Sequence, residues 1–218
     1  LQRIKEEKQR LVNEGKLKKK DVIDSTIFRG DDNKYFENKG KEIVCIDEEI
    51  PFDIPTSWVW VRGRFGFIPM ESTKPTGETF VYIDVAAVNN VSNQIERAKH
   101  LRSKEAPSRA SRKLHLNDIL FSMVRPYLKN IAIVPENYSN AIASTGFYVI
   151  TPSSGFYPQY LLLLMLSPYV VDGLNQFMKG DNSPSINNID IENYLYPLPP
   201  YDEQRRIVEK VNSLWQVL

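Results

Sequence analysis

Residues 97–113 read RAKHLRSKEAPSRASRK, with Arg97, Lys99, Arg102, Lys104, Arg109, Arg112 and Lys113 set against one acid, Glu105. The whole chain carries a net charge of only +1, so this run is a concentration of charge rather than a sample of the average. On a flexible, Ser-rich segment each cation can approach a phosphate and displace its counterions. Arg can also pair with a guanine edge, while Ser103, Ser108 and Ser111 add short donors and acceptors. A solvated basic loop without a partner fits the charge equally well. Two further segments share this chemistry. SMVRPYLKN (122–130) sends Arg125, Tyr127, Lys129 and Asn130 off the end of a strand. KGDNSPSINN (179–188) offers Lys179, Asn182, Ser183, Ser185, Asn187 and Asn188. Amides of this kind can pair with adenine edges, although turns are rich in Asn and Ser for local reasons.

Catalytic patterns are poorly matched. LPPY at 198–201 has the outline of an amino-methyltransferase loop, but Leu198 cannot accept a hydrogen bond from a target amine, and no glycine-rich strand–turn–helix accompanies it. EGK at 14–16 ends a predicted helix without the upstream acid that a metal-dependent nuclease needs, and is read as a solvated helix terminus. There is no phosphate-cradling GxxxxGK[ST]. Cys45 lies in EIVCIDEE, where nearby acids disfavour a thiolate, and is expected to be a half-buried structural thiol. With His100 and His115 it makes three scattered Cys or His side chains, too few for a structural zinc site. No metal or cofactor is expected, and one Cys excludes an internal disulfide.

The elements that must hold these loops are legible as periodicities. SWVWVRG, TFVYIDV (79–85), DILFSMV (118–124), NIAIV (130–134) and STGFYVI (144–150) are short runs rich in β-branched and aromatic residues, separated by Pro, Asn or Gly, and predict strands. Pro158–Lys179 predicts the main helix, with breaks at Pro168 and Gly173. Its run YLLLLML is too short to span a bilayer. Two charged helices flank this body. In residues 1–14, Leu1, Ile4 and Leu11 fit a heptad seam whose remaining slot holds Lys8. In YDEQRRIVEKVNSLWQVL the seam is Ile207, Val211, Leu214 and Leu218, with Asp202 and Glu203 at the end where the helix dipole favours acids. Residues 1–20 hold eight basic and three acidic side chains, and residues 21–57 hold four basic and ten acidic. The latter reads as an acidic connector with one short strand at EIVCI. The expected fold is α+β: a β-rich body at 58–200 with a mixed sheet and packed helices, an N-terminal helical segment at 1–20, a connector at 21–57, and a coiled-coil-like helix starting at 201.

Several blocks resemble type I restriction-modification specificity (S) subunits. YPLPPYDEQRRIVEKV is similar to their PLPPLxEQxRIV signature. SRASRKLHLNDILFSMVRPYLKNIAIV with STGFYVI, the opening EIPFDIPTSWVWVR, and RIKEEKQRLVNEGKLKKK also resemble them. The resemblance implies one target recognition domain that reads half of a bipartite double-stranded DNA site, carried on spacer helices that dock the methylation (M) subunit. The nucleolytic (R) subunit would join through the complex. It implies no catalytic residue in this chain, and a cytoplasmic, membrane-free location. Base-reading residues do not follow from the motifs. The DNA-contacting set is therefore expected from charge and loop chemistry: Arg97, Lys99, Arg102, Lys104, Ser108, Arg109, Arg112, Lys113, Arg125, Tyr127, Lys129, Asn130, Lys179, Asn182, Ser183, Asn187 and Asn188. If the helix seams are exposed, they would pair with each other or between copies, giving a homodimer. The competing reading is a protein-interaction adaptor whose helices bind partners without base readout.

Overall fold

The computed structural model describes residues 1–19, 22, 25–40 and 42–215. In chain order the elements begin with α1 (Gln2–Asn13), β1 (Thr26–Arg29), β2 (Tyr35–Lys39), β3 (Glu42–Cys45), β4 (Val59–Arg62), α2 (Gly63–Gly66) and β5 (Phe67–Ile68). Next come β6 (Thr79–Ile83), β7 (Val88–Asn89), β8 (Gln94–Ile95), β9 (Lys99–Arg102), β10 (Ala110–Lys113), β11 (Ile119–Ser122), β12 (Ile131–Ile133), β13 (Ile142–Ser144) and β14 (Phe147–Pro152). The chain closes with α3 (Pro158–Leu166), α4 (Pro168–Asn175), α5 (Asn188–Asn193), β15 (Leu195–Leu198) and α6 (Tyr201–Trp215). The fold is α+β, as expected. It divides into two compact units, one from Leu1–Ile68, Ser153–Tyr157 and the chain from Ile191 onward, the other from Pro69–Pro152 and Pro158–Asp190.

The first unit gathers both ends of the chain. The stretch expected to be a connector folds instead into an antiparallel meander, β1-β2-β3, which buries Ile27 and Ile46. Cys45 ends its last strand and is exposed, not half-buried. Arg62 on β4 is the unit's polar centre. It pairs with Glu37 at 3.0 Å and Glu49 at 2.8 Å, and donates to the Asn193 carbonyl. Burial pushes the Glu37 carboxyl up, but hydrogen bonds from Ser25 and Arg62 outweigh it and hold the group below its ordinary range. β4 also pairs antiparallel with β15, setting Trp60 and Tyr196 in the core beside Phe65 and Phe156.

The terminal helices pack on this same unit. Ile4 and Lys8 on α1 are both fully buried, so the odd slot in the heptad has a physical explanation. The Lys8 Nζ donates to the carbonyls of Phe65 at 2.6 Å and Arg64 at 3.1 Å, capping backbone at the end of α2. The Arg3 guanidinium lies 5.0 Å from the Tyr201 ring centroid on α6. α6 is fastened by Gln204, which is fully buried. Its Oε1 accepts from the Tyr157 N–H at 2.8 Å, and its Nε2 donates to the carbonyls of Gly155 and Pro199, each at 2.9 Å. The α6 face turned inward is thus Gln204 and Val208. Ile207 and Val211 are half-buried, and Leu214 is 52% exposed; Leu218 lies outside the described residues. The seam on α1 faces its own unit and is not exposed, which removes one of the two surfaces expected to pair between copies.

The second unit is a layered β-body. One sheet has the order β10-β13-β6-β9; β13 and β6 run parallel and the edge pairs antiparallel. In the other layer β11 pairs with β12 and β14. Ile83 and Ala143 from the first layer meet Leu120, Ala132, Phe147 and Val149 from the second in a closed apolar core. The predicted long helix is two, α3 and α4. Ser167 caps the second by accepting from the Val170 N–H, and Pro168 takes its first turn, where a missing N–H costs nothing. Gly173 lies inside α4 and breaks nothing.

Candidate nucleic-acid interface

The basic run is not a flexible loop. Its first part is strand β9, its last part is strand β10, and these are the two opposite edges of one four-stranded sheet. The connection 103–109 has to traverse the sheet from edge to edge. The inner face is filled by the core, so the crossing falls on the outer face, which carries Phe80, Tyr82, Leu101 and Ile142. A short 3-10 turn, Ser103–Glu105, begins it. The Ser103 N–H donates to the Glu78 carbonyl and the Thr145 N–H to that of Arg109, tying down both ends.

Much of the charge is met within the chain. Lys99 pairs with Asp84 and Arg102 with Glu105, while Lys113 pairs with Glu71 at 2.9 Å. All three cations are exposed enough for such pairs to contribute little, so a phosphate can replace the acid. Arg97, Lys104, Ser108 and Arg109 are exposed. Arg112 is half-buried, and its Nε is enclosed without a hydrogen-bond partner, which withdraws part of the guanidinium from solvent. Beside this edge, His115 lies between Glu71 (Nε2, 3.3 Å) and the buried Asp118 (Nδ1, 3.4 Å). The Asp118 interaction raises its pKa above the ordinary histidine value against an opposing desolvation.

The other two segments are brought together, and a third joins them. After β11 the chain makes a 3-10 turn, Pro126–Leu128, flanked by Arg125 (φ 48°) and Lys129 (φ 53°), both left-handed. The Arg125 N–H donates to the Pro184 carbonyl at 2.8 Å and its guanidinium to the Asn182 carbonyl at 2.7 Å. Val124 and Lys179 both bridge to Ser185. The loop 179–186 is thereby fixed to the 123–129 turn. From the other side the β7–β8 hairpin contributes two amides. Asn90 donates to the Leu128 carbonyl at 2.8 Å, and Asn93 donates to the carbonyls of Lys129 and Ile131. Asn130 returns the contact by donating to the Val88 carbonyl at 2.9 Å.

These bonds revise part of the expected set. The Asn130 Nδ2 donates to main chain and braces the hairpin. Arg125 also spends one guanidinium nitrogen on bracing. Asn187 starts the turn into α5, its N–H donating to Asp190, and Asn188 is the first, half-buried residue of that helix. Lys129, Lys179, Asn182 and Ser183 remain presented on the loops, together with Tyr127. The 88–95 hairpin was not among the expected segments. Its signal was the turn-rich NNVSNQ between two apolar residues.

Among the described residues no His, Cys, Asp and Glu group could hold a metal, and no helix is long and apolar enough to cross a membrane. No protein-family model matches the sequence. Among curated proteins the chain is 25% identical over 229 residues to the Escherichia coli type I restriction enzyme EcoAI specificity subunit, covering 99% of this chain and 35% of that protein. It is 26% identical over 225 residues to the EcoEI specificity subunit of the same organism, covering 98% and 34%. Among solved structures it is similar to the HsdS subunit from Thermoanaerobacter tengcongensis, with TM-score 0.70 and 38% identity over 76% of this chain and 44% of that one. A chain in a structure of type I R-M complex assembly gives TM-score 0.71 at the same identity and coverage. This chain spans about a third of the length of the curated relatives it matches. The LPPYDEQRRIV block contains the buried glutamine clamp and the SMVRPYLKN block the braced turn, and sequence likeness and structural likeness converge on type I restriction enzyme specificity subunits, to which this chain is similar over part of their length.

Proposed function

We propose that this chain is a DNA-recognition module that reads one half of a bipartite double-stranded site and carries no catalytic step. Within the expected recognition domain, 58–200, the reading surface lies on the unit made of Pro69–Pro152 and Pro158–Asp190. The single observation that carries the reading is the convergence of three loops, 85–95, 123–131 and 179–186, into one hydrogen-bonded surface. That surface presents Lys129, Lys179, Asn182, Ser183 and Tyr127. Preorganised loops read base edges without a further ordering cost, and Arg97, Lys104 and Arg109 supply phosphate contacts. The stripe Ile207, Val211 and Leu214 on α6 docks the methylation subunit, and the nucleolytic subunit joins through that complex.

Selection from a randomised duplex library tests the reading. The chain is expected to enrich one short contiguous half-site, with an affinity that falls steeply with salt. Recovery of unselected sequence would overturn it. Changing Lys104 and Arg109 to Ala should reduce the slope of log K against log salt by about 0.9 for each phosphate no longer neutralised; an unchanged slope removes the 103–109 crossing from the interface.

A further inference from the structure

At the meeting point of the three loops the chain exposes apolar side chains. Val91 at the tip of the β7–β8 hairpin is 89% exposed, Tyr127 46% and Leu128 41%. Flexible surface turns usually carry polar residues at such positions. Here the apolar tips sit on backbone that cannot move away. Pro126 fixes one φ, left-handed Arg125 and Lys129 bracket the turn, and Asn90 holds the Leu128 carbonyl. Left-handed backbone at non-glycine residues is retained where the surroundings impose it, and such positions cluster at functional sites. The three loops hold Arg125, Lys129 and Lys179 against Asp181, with Glu96 bonded to Asn89 and Ser92 at the foot of the hairpin. A rigid apolar tip with Arg125, Lys129 and Lys179 on the adjoining loops suits a polyanion whose interior is apolar and stacked.

We propose that Leu128 and Tyr127, with Val91 beside them, form a wedge that enters the bound half-site and partly unstacks one base step. This rests on the DNA-reading function proposed above and adds a mechanical role to it. Apolar wedges between base steps kink a duplex and bring more of it against the protein. Readout at the wedged step would then come from the ease of unstacking, greatest at pyrimidine–purine steps, rather than from hydrogen bonds. Arg125 and Asn130, whose side chains hold main-chain carbonyls, are positioning residues for the wedge.

The test uses the 218-residue chain and the half-site from the library selection, with 2-aminopurine placed at each position in turn. Fluorescence should rise on binding at one step. Tyr127→Ala with Leu128→Ala should abolish that rise and weaken half-site binding about 10- to 100-fold. The salt slope should stay unchanged, because the phosphate contacts remain. Leu128→Met, which keeps the apolar bulk, should retain the signal, and the exposed positions should leave the melting temperature unaltered. Selective binding with no fluorescence rise at any position would overturn the wedge and leave the recognition reading standing. Absence of selective binding by the parent chain would overturn both. A double variant that binds DNA normally but no longer assembles with a methylation subunit would assign the tip to a protein contact and overturn the proposal.

Discussion

Lys8 offers a quantitative check on how α1 is held. Its side chain is fully buried, and burial is the main cause that lowers its pKa from 10.5 to about 8, opposed by Glu7. In the unfolded chain the group returns to the ordinary lysine value. Between the two pKa values the unfolded state binds more protons than the folded one, so stability rises with pH. Each unit corresponds to 1.36 kcal/mol, which gives at most about 2 kcal/mol gained between pH 8 and 9.5. Below pH 8 the folded state carries a buried ammonium held by the carbonyls of Arg64 and Phe65, and the contribution is constant. The perturbation is Lys8→Met, which keeps the stem and removes the titrating group. Urea unfolding followed by tryptophan fluorescence suits this region, since Trp58 and Trp60 lie in the same unit. The difference in unfolding free energy, parent minus variant, cancels the titration of the other groups. It should be flat from pH 6.5 to 7.5 and climb by about 1–2 kcal/mol by pH 9.5. A difference that stays flat across the range, or falls, would refute the claim that Lys8 is desolvated against the body.

Gln204→Ala leaves the Tyr157 N–H and the carbonyls of Gly155 and Pro199 without their buried partner, and should destabilise by about 2–4 kcal/mol in thermal or urea unfolding. Gly155→Ala would place a Cβ 2.6 Å from the Ile4 Cδ1 and 2.7 Å from its Cγ1; the side chain can shift only at the expense of α1 packing, so a destabilisation of about 1–3 kcal/mol is expected, and the double variant with Ile4→Ala, which removes both clashing atoms, should lose less than the sum of the two single changes. His115, with its pKa raised by Asp118, should titrate above 6.5 by NMR and return toward that value in Asp118→Asn. Because the folded pKa is raised, its contribution to stability is complete below pH 6.5 and disappears as pH climbs through the folded value.

The strands are legible because their apolar and aromatic residues sit on a period of two between turn residues. TFVYIDV and DILFSMV correspond to β6 and β11 within two residues at each end. The acidic stretch 21–57 escapes that pattern for the same reason in reverse. Its meander buries few side chains, Ile27 and Ile46 among them, and keeps Glu37 inside by pairing it with Arg62, so hydrophobic periodicity is too weak to announce strands. The seam of α6 is displaced by one position because its most buried side chain is a glutamine, which no apolar pattern records.

By itself the sequence determined the class of fold, the concentration of cations at 97–113 and the two blocks that carry the likeness to specificity subunits. These are properties of residue type and spacing along one dimension. Which of the cations share a surface was decided only by the tertiary structure. The run at 97–113, contiguous in sequence, is dealt to opposite edges of a sheet by strand order β10-β13-β6-β9. Three segments far apart in sequence are instead drawn into one surface by hydrogen bonds from Asn90, Asn93, Arg125 and Asn130 to main-chain carbonyls. An Asn or Arg in a sequence does not reveal whether its donors face solvent or satisfy the backbone of a neighbouring loop, because that depends on contacts between residues up to 57 positions apart.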